Sequence, residues 1–309
     1  MTSRDLIGKV VVVTGASSGI GRATALACSG LGAHVVAAAR RQAALESLVE
    51  ECERMGGKAI AVALDVGVSS AMDDLADLAV ETFGGIDVWV NNAGLYSVGL
   101  FEDTPDDVFE RIVQVDLMAV VRGSRAALRP FRAQRSGVLV NVSSMIGGLA
   151  GPYVSAYAAS KWAVRGFSFA LHEELRSDPE IHVCVVRPAS IDTPIFRQSA
   201  NFSGRRIKAL TPTYPAEQAA RTIIRLIDRP RREAIIGRSG QALALARHAA
   251  PGLVDRIFAR RAVRDQFDGD EPAPATSGNL FEPDPSWATV SGGWRLGQPG
   301  VRRGLDRLI

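Results

Sequence analysis

The stretch VVVVTGASSGIGRATALA, from Val10 to Ala27, says more about the fold than any other part of the chain. Four consecutive valines predict a strand buried on both faces, as in a parallel sheet. The strand enters a turn with glycines at positions 15, 19 and 21, and a helical pattern begins within the turn. Such a turn binds phosphate through free backbone N–H groups at a helix N-terminus. The alternative is an ordinary turn, because glycine serves there too.

The strand-helix alternation continues along the chain and predicts a doubly wound, Rossmann-type α/β fold with helices on both faces of a parallel sheet of about seven strands. The predicted strands are Lys9–Thr14, Ala33–Ala39, Lys58–Leu64, Asp87–Asn92, Gly137–Ser143, Ile181–Arg187 and Arg232–Gly237. The predicted helices include Gly19–Ser29, Gln42–Met55, Val154–Arg176 and Pro215–Ile227. A further helix is predicted to begin with Thr104 as N-cap and Pro105 as its first residue.

We divide the chain into a core, residues 1–237, and a C-terminal extension, residues 238–309. The extension begins with a helical pattern interrupted at Pro251, with an apolar stripe at Leu253, Val254, Ile257 and Phe258. We expect this stripe to dock on the core or on a partner subunit, and the alternative is an anionic membrane surface. Aromatic residues in the Pro- and Gly-rich tail after Asp268 suggest that it wraps a surface, with disorder as the alternative.

Composition excludes several classes of protein. The 309 residues carry a net charge of only +3, with basic residues scattered among acidic ones, which argues against nucleic acid as a partner. Cys28, Cys52 and Cys184 lack C-x-x-C spacing and predict reduced thiols in a cytoplasmic protein. The four histidines show no metal-ligand spacing, so no metal is expected. No apolar run is long enough to span a bilayer, so we expect no membrane association except a peripheral one through the helix of the extension. That helix is basic, with Arg256, Arg260, Arg261 and Arg264.

Several motifs resemble those of one enzyme family. TGASSGIG, from Thr14 to Gly21, is similar to the T-G-x-x-x-G-x-G signature of short-chain dehydrogenases/reductases. NNAG, from Asn91 to Gly94, and the pair Asp65 and Val66 extend the resemblance, which covers about Lys9 to Gly237 in order. It implies a nicotinamide cofactor, a small ketone or alcohol substrate and assembly as a homodimer or homotetramer. The implied cofactor-binding residues are Gly15, Ser17, Ser18, Gly19, Ile20, Gly21, Arg40, Arg41, Asp65, Val66, Asn92, Ala93, Gly94, Tyr157, Lys161, Pro188, Ile191 and Thr193.

The end of the second predicted strand indicates which nicotinamide cofactor binds. An acidic residue there holds the ribose 2′-OH of NAD and repels a 2′-phosphate. This chain has Ala39, Arg40 and Arg41 instead, and a guanidinium pairs well with a phosphate. We therefore predict NADP(H), with Arg40 as the main discriminator, unless both arginines only face solvent.

The segment SAYAASKWAV places Tyr157 four residues before Lys161, so both side chains lie on one helix face. A free tyrosine is a poor base at neutral pH, and a nearby ammonium moves its pKa toward the working range. Alone, this pattern more often marks a tyrosine that packs a helix onto a sheet. The family resemblance implies a catalytic role, selects Ser144 as the residue that holds the substrate oxygen, and gives Lys161 the nicotinamide ribose as a second partner.

Two positions depart from the family pattern. Asp116 stands where the family usually has an asparagine in a helix, and an ionised aspartate can only accept hydrogen bonds. We expect Asp116 either to keep the helix kink and the relay to Lys161 or to slow proton transfer. Ala189 replaces a glycine after the sixth strand, so the loop that carries Ile191 and Thr193 is expected to follow a slightly different path.

The segment Ile195–Tyr214 occupies the place of the family's substrate-covering loop and predicts a hydrophobic ketone or alcohol. The predicted lid residues are Phe196, Phe202, Ile207, Leu210 and Tyr214, and the predicted pocket residues are Leu95, Tyr96, Ile146 and Leu149. The alternative is that these residues belong to the core. Arg197, Arg205 and Arg206 are interpreted as solvated charges, with an acyl-carrier phosphate as the alternative partner.

Two functions follow from the whole sequence. The first is an NADP(H)-dependent carbonyl reductase or alcohol dehydrogenase. The second is an NADP(H)-binding regulatory protein with weak or absent turnover, which Asp116 motivates.

Overall fold

The main sheet consists of seven parallel strands, in a computed structural model that describes residues 5–149 and 151–295. In chain order they are β1 Val10–Thr14, β2 His34–Ala39, β3 Lys58–Ala63, β4 Val88–Asn91, β5 Gly137–Val142, β6 Ile181–Pro188 and β7 Glu233–Ile236. Their order across the sheet is β7-β6-β5-β4-β1-β2-β3. Strands β1 to β3 are added toward one edge of the sheet and β4 to β7 toward the other, so the strand order reverses between β1 and β4. In doubly wound folds, ligands bind in the crevice at the carboxyl ends of the strands at this point. The predicted fold class is confirmed.

Helices cover both faces of the sheet and complete two apolar cores. They are α1 Gly19–Ser29, α2 Gln42–Arg54, α3 Ala71–Phe83, α4 Asp106–Val113, α5 Ala119–Gln134, α6 Ser155–Glu174 and α7 Ala216–Asp228, with a π-helical turn at Gln114–Met118 between α4 and α5. The valines of β1 alternate between the faces: Val11 and Val13 pack into one core, and Val10 and Val12 into the other. The four-valine run thus serves both cores, as burial on two faces requires.

The start of α4 differs from the sequence prediction. Helix α4 begins at Asp106, with Pro105 as its N-cap in an extended conformation, so the prediction of Thr104 as N-cap is wrong. The Thr104 hydroxyl instead donates to the carbonyl of Leu100, 2.8 Å away. The first turn of α4 contains Asp106 and Asp107, whose charge favours a helix N-terminus, and Asp107 Oδ1 accepts from the Val108 N–H at 2.9 Å.

The extension folds against the core. It forms α8 Arg238–Ala249, α9 Pro251–Gln266 and the strand Phe267–Pro272, which pairs antiparallel with Arg205–Ile207. Val254 is buried with Met145 and Leu149, and Phe258 packs beside them, so the apolar stripe of α9 docks on the core as expected. Leu253 and Ile257 on the same helix stay 58% and 54% exposed. Residues 296–309 of the predicted extension lie outside the described residues.

Two further findings concern composition. All three cysteines are free and buried, and burial raises the pKa of the Cys28 thiol to about 12, which keeps it protonated and unreactive. Among the described helices, none combines the length and the apolar character that a bilayer-spanning segment needs.

Candidate active site

A cavity of about 410 Å³ opens at the carboxyl edge of the sheet, in the crevice between β1 and β4. Every residue predicted to bind the cofactor or to act in catalysis lines it, with the exception of Gly21. A Cβ at Gly21 would lie 2.3 Å from the carbonyl oxygen of Gly15. Gly21 therefore permits the close contact of α1 with the turn.

The glycine-rich turn has the backbone conformation that its sequence predicts. Gly15 and Gly19 have φ angles of 68° and 53°, a region that residues with a Cβ rarely adopt. The Thr14 hydroxyl accepts hydrogen bonds from the backbone N–H groups of Asn92 and Ala93, at 3.0 and 3.1 Å. The ends of β1 and β4 are thus tied together, and the N-terminus of α1 points into the cavity.

A buried polar network holds β4, β5 and α6 in register beside the site. The Asn91 amide donates to Asn141 Oδ1 at 2.8 Å, and the Asn141 amide donates to Ser168 Oγ at 2.9 Å. The Ser143 hydroxyl donates to the backbone carbonyl of Lys161 at 2.8 Å. Ser143 therefore joins β5 to α6 and has a structural role beside Ser144.

Tyr157, Lys161 and Ser144 come together at the inner end of the cavity. The Lys161 ammonium lies 5.5 Å from the centre of the Tyr157 ring, one helical turn away on α6. The Ser144 side chain hydrogen-bonds the Tyr157 hydroxyl and also accepts from the Ile146 N–H at 3.2 Å. A substrate oxygen at this point would meet two hydroxyl groups, with a buried ammonium behind them.

Asp116 lies directly behind Lys161. Its position in the π-helical turn, a feature common at functional sites, turns the carboxylate inward. Oδ2 is 3.0 Å from Lys161 Nζ, and Oδ1 accepts from the Leu95 N–H at 2.7 Å. The kink expected from the family pattern is therefore present, and aspartate forms an ion pair where asparagine would be neutral.

Burial and charge act against each other on these groups. Burial raises the pKa of Tyr157, Lys161 lowers it, and the Asp116 carboxylate raises it again, so that it lies above its ordinary value. Burial alone would lower the pKa of Lys161, but Asp116 and Tyr157 raise it above its ordinary value. The lysine is therefore held as a cation, while Asp116 offsets part of its effect on the tyrosine.

Three arginines border the other end of the cavity, and all three contact the C-terminal tail. Arg40 Nη1 donates to the carbonyl of Leu280 at 3.1 Å, and Arg111 Nε donates to the same oxygen at 3.0 Å. Arg111 also pairs with the Asp65 carboxylate. Arg41 donates to Ser17 Oγ at 2.9 Å. The guanidinium groups of Arg40 and Arg41 thus face the cavity but are not simply solvated.

The family model of the short chain dehydrogenases matches residues 9–203, which is more than half of the chain. The chain belongs to this family. Among curated relatives of this dehydrogenase, "Uncharacterized oxidoreductase YxnA" of Bacillus subtilis (strain 168) is 32% identical over 282 residues, covering 90% of this chain and 79% of its own length. The predicted family is confirmed.

Two solved structures resemble this short-chain dehydrogenase. A short chain dehydrogenase/reductase from Burkholderia phymatum in complex with NAD has a TM-score of 0.72 and 27% identity, covering 82% of this chain and 96% of that one. An alcohol dehydrogenase from the archaeon Thermococcus sibiricus complexed with 5-hydroxy-NADP has a TM-score of 0.65 and 26% identity, covering 74% and 95%. Both share the fold, and they carry different cofactors.

The substrate side of the dehydrogenase cavity includes only part of the predicted set. Leu95, Tyr96, Ile146, Phe196 and Leu210 line it. The other four predicted residues pack elsewhere: Leu149 against α9, Phe202 and Ile207 in neighbouring apolar clusters, and Tyr214 in the main core with its hydroxyl on Ser239. For these four residues the alternative holds, namely that they belong to the apolar cores and not to the pocket.

The extension supplies cavity residues that the sequence did not identify. Leu243, Ile257, Phe258 and Arg261 line the substrate side, and Asn279, Pro283 and Asp284 line the side of Arg40. The interpretation as solvated charges is also wrong for Arg197 and Arg205, whereas the Arg206 side chain is 59% exposed. Arg205 lies over the Phe267 ring at 4.3 Å and Arg206 pairs with Glu271 at 2.9 Å, so both attach the extension.

The loop after β6 accommodates Ala189 without strain. Among the described non-glycine residues only Arg135 and Tyr153 have positive φ, so the alanine needs no left-handed conformation here. Thr193 packs close to Gly19, since a Cβ on Gly19 would lie 3.1 Å from the Thr193 Cβ. Both residues line the cavity, together with the two serines of the turn and the two arginines that follow β2. This donor set fits a nicotinamide dinucleotide.

Proposed function

We propose that this protein is an NADP(H)-dependent oxidoreductase that interconverts a carbonyl compound and a secondary alcohol, with Tyr157 as the general acid and base. The observation that carries the proposal is the group formed by Tyr157, Ser144 and Lys161 at the inner end of a cavity whose other end is a glycine-rich turn. A bound nicotinamide cofactor supplies or accepts the hydride.

In the direction of reduction, the Tyr157 hydroxyl donates its proton to the carbonyl oxygen as charge develops there. The Ser144 hydroxyl donates a hydrogen bond to the same oxygen and holds it in place. Lys161 stabilises the phenolate that remains, and Asp116, 3.0 Å from its ammonium, holds the lysine in position. In the direction of oxidation the same groups act in reverse.

A preference for NADP(H) is supported by charge. β2 ends at Ala39, and Arg40 and Arg41 follow it at the edge of the cavity. Two guanidinium groups favour a 2′-phosphate, and a carboxylate at the end of β2 would repel it. The related structures contain either NAD or an NADP derivative, so likeness alone does not choose between the cofactors.

A hydrophobic substrate is supported by the lining of the cavity beyond Tyr157. Tyr96, Phe196, Leu210, Leu243 and Phe258 surround this space. An apolar pocket with two hydroxyl groups at its end orients a ketone by its oxygen and binds the rest by exclusion of water. Location in the cytoplasm and assembly as a dimer or tetramer stay predictions.

The proposal is tested by following oxidation of NADPH and of NADH with purified protein and a panel of hydrophobic ketones, aldehydes and quinones. Turnover with at least one ketone, and a higher kcat/KM with NADPH, is the expected result. Binding of NADPH without turnover across the panel favours the second function, a cofactor-binding regulatory protein, which the Asp116–Lys161 ion pair supports. Absence of any cofactor binding refutes both functions.

A further inference from the structure

Residues 279–294, which we call the C-terminal strap, run along the open side of the cavity. At the end that we assign to the adenosine half of the cofactor, the strap binds through main-chain carbonyl groups. The carbonyl of Asn279 accepts from Arg40 Nη2 at 2.5 Å, and that of Asp284 accepts from Arg41 Nη1 at 2.9 Å. Both arginines therefore serve the cavity and the strap at once.

Midway, the strap crosses the glycine-rich turn. The carbonyl of Thr289 accepts from the backbone N–H of Gly19 at 2.9 Å. Gly19 is the first residue of α1 and lines the cavity. The strap therefore passes over the point where a pyrophosphate is held against the helix N-terminus.

At the opposite end, the strap is fixed to the loop after β6. The Asp192 carboxylate accepts from the N–H groups of Gly292 and Trp294, at 3.1 and 2.8 Å. The Arg197 guanidinium lies 4.3 Å from the ring of Trp294 and 5.1 Å from that of Trp287, and its Nε donates to the Gly292 carbonyl at 2.6 Å. The strap thus joins both walls of the cavity.

The strap leaves the interior of the cavity open. Of its residues only Asn279, Pro283 and Asp284 line the cavity, whereas Ser17 and Ile20 of the glycine-rich turn still line it beneath the strap. A segment that filled the dinucleotide site would cover those positions. The arrangement is that of a cover over the site.

The strap is attached mainly by hydrogen bonds and little by apolar burial. Leu280 is its one fully buried apolar anchor among residues 279–294, and most other attachments are hydrogen bonds at partly exposed positions. Segments with few buried apolar contacts and solvent-accessible hydrogen bonds open locally at much lower free energy than the whole protein.

We propose that the C-terminal strap closes over the bound nicotinamide dinucleotide, forms the outer wall of its site and controls the rate of its release. This inference rests on the proposed function, because it needs a dinucleotide in the cavity. An inhibitory segment that competes with the cofactor is the opposite reading of the same contacts, and the two differ in what the cofactor does to the strap.

Hydrogen exchange of the full chain, with and without saturating NADPH, separates them. A closing strap predicts slower exchange of peptides from residues 279–294 when NADPH binds. Faster or unchanged exchange there, with slower exchange at residues 15–20, refutes the strap while leaving the proposed function intact. No change in either region means that no cofactor binds, which refutes both.

A point variant supplies a kinetic test. Arg197 contacts the strap and does not line the cavity, so Arg197→Ala loosens the strap and keeps the site. We expect NADPH to dissociate about tenfold faster, a change equivalent to roughly 1.4 kcal/mol. Arg129→Ala is the matched control, because Arg129 is exposed and pairs with Asp73 away from the cavity. An unchanged dissociation rate in Arg197→Ala, or tighter binding, refutes the proposal.

Discussion

The ammonium of Lys161 lies 3.0 Å from the carboxylate of Asp116, and both side chains are buried. With a neutral asparagine at position 116, no carboxylate would offset the effect of the Lys161 charge on the pKa of Tyr157. The aspartate holds the lysine as a cation and at the same time reduces its influence on the tyrosine. Under the proposed function, this pair sets the pH range in which Tyr157 exchanges a proton.

Replacing Asp116 with asparagine is expected to move the pH dependence of alcohol oxidation to lower pH. Oxidation needs the deprotonated tyrosine, so the rate rises with pH through the Tyr157 pKa. Asp116 raises that pKa, and removal of its charge lowers it. The measurement is kcat/KM for a secondary alcohol as a function of pH.

The matched control for this variant is Asp106→Asn, which removes an exposed carboxylate at the start of α4. Its profile should coincide with that of the unmodified protein. A rising limb that stays in place or moves to higher pH in Asp116→Asn would contradict the assigned electrostatics.

Arg41→Ala is expected to weaken NADPH binding by about tenfold or more and NADH binding much less, because charge-assisted hydrogen bonds to a phosphate are lost. Arg40→Ala should show the same selectivity together with a looser strap, since Arg40 holds Asn279 and Leu280. Dissociation constants for both cofactors, measured by fluorescence, decide the matter. Equal weakening for NADPH and NADH would mean that the arginines serve the strap alone.

Gly21→Ala is expected to destabilise the protein by about 1–3 kcal/mol, because the added methyl group collides with backbone. A Cβ there would lie 2.3 Å from the Gly15 carbonyl oxygen. Gly166→Ala is the matched control: Gly166 lies within α6 and has no atoms within 4 Å of its Cβ position. It should be stabilising by about 0.5–1 kcal/mol, the difference in helix propensity. Urea unfolding of both variants tests the pair, and equal stabilities would contradict this packing.

The regular part of the fold was predictable from sequence because each strand and helix is encoded locally. The strands Val10–Thr14 and Ile181–Pro188 consist mostly of apolar residues, which predicts their burial, and the glycine spacing predicts the turn. Ser144 follows the carboxyl end of β5, and Tyr157 and Lys161 lie in the first turns of α6. These positions needed no knowledge of distant contacts.

The extension's contacts were not predictable in the same way. Arg40 and Asn279 are separated by 239 positions in sequence, and no local pattern pairs them. In the sequence, Arg197 is an ordinary charged loop residue, and only the structure shows that it contacts Trp287 and Trp294. The aromatic residues of the tail were the one available signal, and they indicated a buried surface without indicating which one.

The most direct test of the central claim compares the unmodified protein with Tyr157→Phe at saturating NADPH and with the best ketone of the panel. We predict that the variant binds NADPH with nearly unchanged affinity and that its turnover falls by about 10²–10⁴-fold, which is the contribution of a general acid. Turnover that survives in Tyr157→Phe at a comparable rate would contradict the assignment of Tyr157 as the proton donor.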